Sequence, residues 1–384
     1  MSSLSEQPDW SKYPAGLWGY AGMNLNEVAY WTRSHAVRTR IGGRGLYKPG
    51  FTQLPNGDLL AGPCYRAEDG RWCIDMFRST DEGRSWTQVE TKGDELLGKE
   101  PALITLGDGG VLNVTSHPHG FRVSKSDDDG VTWRMTAIGE VNEDATFGPG
   151  YEMVRNVLED SDGSLTLLMS KGTCYDPDAP PSRSWLFRSS DGGRTWAEHT
   201  EVKVWDRPES MFGEVSLTRL HDGRILAAGR VSGDVLIDDI QPPRGTPTPS
   251  GDESGDHMIL SESADGGITW SEPRPFLNYA VVHAHLLALA DGRLLCSYAT
   301  YHLPFGIFAV LSDDNGETWN TEHPIQLAMS LDMYTGWPTS IQLSDGDILT
   351  AYTITGYLEH PNNDEKTKDA AAESVRWKLP SPIN

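Results

Sequence analysis

Apolar and polar positions alternate along this chain in short runs, and the runs keep breaking at the same signal. An apolar stretch meets Asn-Gly or Asp-Gly and a second apolar stretch follows, as in Phe51-Thr-Gln-Leu-Pro-Asn-Gly-Asp-Leu-Leu60. The unit recurs around Asp108-Gly, Asp162-Gly, Asp222-Gly, Asp291-Gly and Asp345-Gly. β-rich runs joined by Asp-Gly predict hairpins, because glycine takes the positive φ that a tight turn needs.

A second pattern runs out of phase with the first. Ser-x-Asp-x-Gly-x-(Ser/Thr)-Trp occurs at 79–86, 126–133, 189–196, 263–270 and 312–319. Each copy predicts another turn, in which Asp caps its own backbone, Gly takes the positive φ and Trp anchors the returning strand. Those are scaffold roles. The first five Asx-Gly hairpins are each followed by one Trp box, so two hairpins make a four-stranded unit. Six such units predict an all-β fold, a six-bladed β-propeller of four-stranded antiparallel blades. The sixth unit lacks a box. Its third strand falls at 373–379, and a lone strand at 36–41 supplies the fourth, closing the ring from the other terminus and removing open edges. The propeller is expected over 36–380, after an N-terminal arm at 1–35 rich in Trp, Tyr, Pro and Gly.

This connectivity predicts a functional rim. The Asx-Gly turns and Trp boxes share one rim, so inner-strand starts and second-strand ends share the other. Lys48, Glu100, Arg155, Glu214, His283, His285 and Trp337 fall at the starts, and Arg66, His117, His119, Arg230, Tyr301 and His302 at the ends. Cations, carboxylates, imidazoles and aromatics converging on one rim exceed what stability requires. Trp337 and Tyr301 are candidates for a sugar-stacking platform, and the His117/His119 and His283/His285 pairs each share a strand face if alternation holds. A Pro-, Gly- and Asp-rich insertion at 232–256 overhangs the same rim.

A net charge of −23 over 384 residues argues against nucleic acid and anionic membranes as partners. No apolar run reaches membrane-span length, and residues 1–8 lack a basic-then-apolar signal. The expectation is a cytoplasmic protein, or a periplasmic or secreted one if a leader was removed. Cys64, Cys73, Cys174 and Cys296 show no metal or redox spacing, so no metal or cofactor is expected.

The Trp boxes and the six-unit count resemble the Asp-box repeats of the sialidase (neuraminidase) superfamily over residues 36–380. The resemblance implies three arginines on a substrate carboxylate, a tyrosine nucleophile paired with a glutamate, and an aspartate as acid/base. Phe212-Gly-Glu214-Val-Ser-Leu, followed by Asp222-Gly-Arg-Ile-Leu-Ala-Ala-Gly-Arg230, is similar to the family's blade carrying the glutamate and one arginine. Elsewhere the chain departs from the family. Tyr47-Lys48-Pro49 replaces an Arg-Ile-Pro stretch, Gly336-Trp337-Pro338 stands where the tyrosine is expected, and 303–308 holds no arginine. Tyr334 is then the nearby tyrosine, and Asp69 the aspartate that fits by placement.

Three readings follow. An exo-acting glycosidase on an acidic or polar sugar would use Glu214 and Asp69 as its carboxylates, with Arg230, Arg66 and Lys48 on the substrate. A uronate-type lyase would use His283, His285 or Tyr334 as base, with Arg230 neutralising the substrate carboxylate. A glycan-binding propeller would need neither. All three take carbohydrate as partner.

Overall fold

A computed structural model describes residues 36–117, 120–140, 151–172, 183–202, 211–232, 256–277, 280–302, 304–330, 334–355 and 370–380. The arm at 1–35 and most of the 232–256 insertion fall outside these. The strands form six sheets, antiparallel except for the two-residue strand Lys92–Gly93, which runs parallel to Thr132–Glu140 at the outside of blade 2. Blade 1 holds Tyr47–Gln53, Leu59–Arg66, Phe77–Ser79 and Thr87–Gln88, with Trp72–Ile74 paired to its second strand. The inner strands of blades 2 to 5 are Ala102–Thr105, Tyr151–Glu159, Met211–Arg219 and Val281–Ala288. Blade 6 orders Gly336–Gln342, Ile348–Ile354 and Ala371–Trp377, then takes Val37–Arg44 as its outer strand, with Val37 opposite Arg376 and Ile41 opposite Ala372. The inner strands touch one another in a closed circle, blade 6 meeting blade 1.

Each Asx-Gly turn is made the same way. Leu54 N donates to Asp58 O at 2.8 Å, and Gly57, at φ 90°, donates to Leu54 O at 2.9 Å. The boxes likewise close on themselves. In the first, Gly83 N donates to Ser79 Oγ at 2.8 Å, and Asp81 accepts from Ser85 N at 2.8 Å and Ser85 Oγ at 2.6 Å.

Buried apolar clusters sit in the seams between blades. Leu112 and Phe121 of blade 2 meet Leu165 and Phe187 of blade 3, and Leu295 and Ile307 of blade 5 meet Ile348 and Val375 of blade 6. The boxes reach into these seams. A Cβ on Gly130 would lie 2.5 Å from Leu60 of the preceding blade, and one on Gly193 would lie 2.8 Å from Leu112. Arginines cross the same seams to box carbonyls, Arg78 donating to Asp129 O and Arg274 to Gly316 O. The box rim is therefore the stapled end of the molecule, which leaves the opposite rim to carry chemistry.

Candidate active site

The inner strands share a defect at that opposite rim. Their pairing with the second strand slips at Tyr47/Gly50, Val154/Val157, Gly213/Ser216, Val282/His285 and Gly336/Thr339. The residue just after each slip begins is Lys48, Arg155, Glu214, His283 and Trp337, and Glu100 precedes the inner strand of blade 2 in the same way. Five of the six lie in the left-handed region: Lys48 (φ 48°), Glu100 (57°), Glu214 (50°), His283 (59°) and Trp337 (52°). That conformation costs a non-glycine residue roughly 1–2 kcal/mol, and side chains held so cluster at functional sites. A bulge re-aims its side chain, here toward the propeller axis.

Glu214 stands at the centre. Its Oε2 accepts from Arg230 Nη1 at 3.1 Å and lies 3.4 Å from His283 Nε2, while Oε1 accepts from Trp337 Nε1 at 3.2 Å. Arg230 is held from behind by Asp256, which accepts from its Nε at 2.8 Å and also from Nη2. Glu214, Arg230 and Asp256 are all buried. Burial by itself would raise the Glu214 carboxyl, but the surrounding cations Arg230, Lys48 and Arg155, joined by His283 whenever it takes up a proton, outweigh it and hold the group below the usual range. Burial pushes His283 well below the ordinary imidazole value, the fixed cations Arg230 and Arg155 adding to the effect against Glu214. Arg230 carries a permanent charge and His283 does not, so the carboxylate is ionised and the imidazole neutral.

A second pair lies beside this one. Lys48 Nζ donates to Glu100 Oε1, both residues being buried. Burial lowers the Lys48 ammonium, with Glu100 pulling the other way. Arg155 reaches across the axis from blade 3 to the carbonyls of His283 at 3.3 Å and Pro338 at 3.0 Å. The buried centre thus sets three cations (Lys48, Arg155, Arg230) against three carboxylates (Glu100, Glu214, Asp256). Among the described residues, Glu100 Oε2, Arg155 Nε and His283 Nδ1 are buried polar atoms with no hydrogen-bond partner. Such atoms are rare in folded proteins, and these share one cluster.

The rim reading places Glu214, Arg230, Lys48, Glu100, Arg155, His283 and Trp337 together, and Tyr301 joins them, its hydroxyl 3.4 Å from His283 Nε2. Other expected residues stand apart. Asp69 lies exposed in the turn that returns to Trp72–Ile74, accepting from Arg71 N at 3.0 Å and Arg71 Nε at 2.7 Å. Those bonds lower its pKa, which suits a turn cap and not an acid. Arg66 is exposed at its strand end, and His117 is half-buried at the end of Val111–His117. His119 lies outside the described residues. Tyr334 packs in the apolar seam of blades 5 and 6. The His283/His285 pairing fails because the bulge breaks alternation. His283 turns to Glu214, while His285 Nδ1 accepts from Ser340 N at 3.3 Å. The stacking platform fails too. Trp337 carries the His283 ring at 3.9 Å and Lys48 Nζ at 4.1 Å, which cannot share one face, and Tyr301 is buried edge-on against His283.

Asp256 escaped the sequence reading. The register of Ile225–Ser232 with His257–Ser263 sets Arg230 opposite Met258 and Val231 opposite His257. The signal was therefore present: an acidic residue just before an apolar strand, whose register continues to Ser232, two residues beyond Arg230 and so on the same strand face.

Fold and site together define a six-bladed β-propeller whose candidate site lies at the rim opposite the Ser-x-Asp-x-Gly-x-(Ser/Thr)-Trp boxes. Residues 246–358 match the family model described as a BNR repeat-like domain. No curated protein matches the chain. A protein of unknown function from Dyadobacter fermentans is similar in structure, with 18% identity and a TM-score of 0.66 over 90% of this chain and 98% of its own. The α-L-arabinofuranosidase of Fusarium graminearum, in complex with an iminosugar inhibitor, shares 13% identity at a TM-score of 0.64, covering 88% and 97%. Trypanosoma rangeli sialidase shares 13% at 0.54, covering 90% of this chain but 58% of the sialidase.

Proposed function

We propose that the protein is a glycoside hydrolase acting on the end of a polar, uncharged sugar chain. The observation that carries the reading is Glu214: an ionised carboxylate, fully enclosed, mounted on strained backbone and aimed at the axis by Arg230 and Trp337. An anion fixed in a dry site stabilises the positive charge that develops at an anomeric carbon. The second carboxylate is Glu100 in place of Asp69. Its partner Lys48, weakened as an ammonium by burial, donates to it and supplies the proton. That proton passes to the glycosidic oxygen as the carbon–oxygen bond breaks. Water then adds hydroxyl to the anomeric carbon and returns its proton to the Glu100–Lys48 pair. The named solved structures, one bound to an iminosugar, support a carbohydrate ligand.

Charge argues for a neutral sugar. All three guanidinium nitrogens of Arg230 are engaged by Glu214 and Asp256, and the three cations of the cluster meet three carboxylates. An acidic sugar would bring an uncompensated charge into this balance, at a cost of several kcal/mol. The test incubates the protein with arabinosides, xylosides, galactosides, sialosides and glucuronides in ¹⁸O-water and reads products by mass spectrometry. The expected result is release of a neutral sugar carrying one ¹⁸O, reduced at least about 10³-fold in Glu214→Gln. Label-bearing release from sialosides alone would overturn the substrate assignment, and full activity in Glu214→Gln would overturn the mechanism.

One observation favours a second reading. His283 is a neutral imidazole within hydrogen-bonding range of Tyr301 and beside Arg230, the arrangement of a base next to a cation. A lyase would release product without ¹⁸O and with near-ultraviolet absorbance.

A further inference from the structure

With Trp337 covered and Tyr301 buried, the aromatic surface that a sugar could use lies further out. Tyr47 meets Trp337 edge-on at 4.8 Å, and Trp72 lies beyond it at 6.3 Å, tilted 31°. Tyr47 begins the inner strand of blade 1. Trp72 opens the strand paired to the end of Leu59–Arg66, opposite Arg66, and so belongs to the site rim. The three rings step outward from the axis. Trp337 is buried, while Tyr47 and Trp72 are half-buried.

The outer ring is tied to the central chemistry by backbone. Ile74 N donates to Leu96 O at 3.0 Å and Gly98 N donates to Trp72 O at 3.0 Å, so the segment ending in Glu100 runs alongside Trp72. Lys99 Nζ stands 5.1 Å from the Trp72 ring centre, next to a carboxylate-bearing neighbour. Trp72 packs against the buried cluster that holds Leu60, Cys64, Ile74 and Leu96, while its neighbours Arg66, Glu68, Asp69 and Arg71 are exposed, so the ring sits between core and solvent at the rim.

We propose that Tyr47 and Trp72 form a subsite for the second ring of an oligosaccharide whose terminal ring occupies the Glu214 centre. Aromatic faces bind sugars through the apolar C–H face of the ring, and an amphipathic ring half in water suits a ligand with one apolar and one polar side. This rests on the hydrolase reading for what sits in the centre, but its test is a binding measurement.

Monosaccharides and the matching trisaccharides of arabinose, xylose, galactose and glucose are titrated calorimetrically into Glu214→Gln, alone and combined with Trp72→Leu or Trp72→Phe. The expected result is trisaccharide binding weakened roughly tenfold by Trp72→Leu, less by Trp72→Phe, with monosaccharide binding unchanged. An unaltered melting temperature shows that lost binding is not lost folding. Equal weakening of both ligands, or of neither, overturns the subsite, as does absence of binding by every trisaccharide. Trp72-dependent binding of a trisaccharide that the wild type leaves uncleaved keeps the subsite and removes the hydrolase. Cleavage with a KM indifferent to Trp72 does the reverse.

Discussion

At the scale of the residue, the site is governed by what each charge is buried against. His285 is pushed down to about 3 by burial, with Arg155 adding to it, and His283 also lies well below the ordinary value. Both bind protons in the unfolded chain below about pH 6.5 but not in the folded one, so the unfolded state gains protons as pH falls. Stability is therefore full above pH 6.5 and declines on acidification by about 1.4 kcal/mol per pH unit per histidine, for His285 down to about pH 3. Glu214 works in the same direction. Its depressed folded value gives stability that is present above about pH 4.5 and lost below it. Urea midpoints at pH 7.5 and pH 5 check this, with His285→Gln expected to show a shallower slope. Gly336 offers a sharper probe, because a Cβ there would sit 2.3 Å from His283 Nδ1. Gly336→Ala should displace the imidazole and lower turnover on the order of 10²-fold, while circular dichroism remains that of the wild type.

At the scale of the element, turns were legible and bulges were not. Asp-Gly and the Trp box announce themselves because their chemistry is local: glycine for positive φ, a carboxylate for nearby amides. The bulges carry no such mark. Lys48, Glu214, His283 and Trp337 take left-handed conformations that their residue types disfavour, and only pairing across the blade imposes them. That is why alternation misplaced His285 and why Trp337 looked like an open platform. Asp69 and Tyr334 were assigned by placement, and placement along a loop does not fix direction. The boxes yield a prediction of their own. Gly130, at φ 81° and against Leu60, tolerates no side chain, so Gly130→Ala should cost about 2–4 kcal/mol of stability. Because it lies on the rim away from Glu214, its turnover at low temperature should match the wild type. A loss of turnover without a loss of stability would contradict the division of labour between rims.

At the scale of the whole molecule, the ring depends on Val37–Arg44 lying along Ala371–Trp377. Removing residues 1–44 would bare the edge of Ala371–Trp377, and unpaired edges recruit other chains. The shortened protein should associate in a concentration-dependent way on gel filtration and melt at lower temperature. A monomer with the original melting temperature would mean that the strand is dispensable. The bulged position of the inner strand has a different consequence. One backbone shape is written again around the circle, and what projects from it is a lysine, a glutamate, an arginine, another glutamate, a histidine and a tryptophan. None of these side chains belongs to the apolar clusters that join the blades. The scaffold therefore behaves like a dial with six settings, open to change without re-engineering the frame so long as the buried charges stay matched. A lineage built on it can exchange its reagents one by one and visit new chemistries while its outline stays the same.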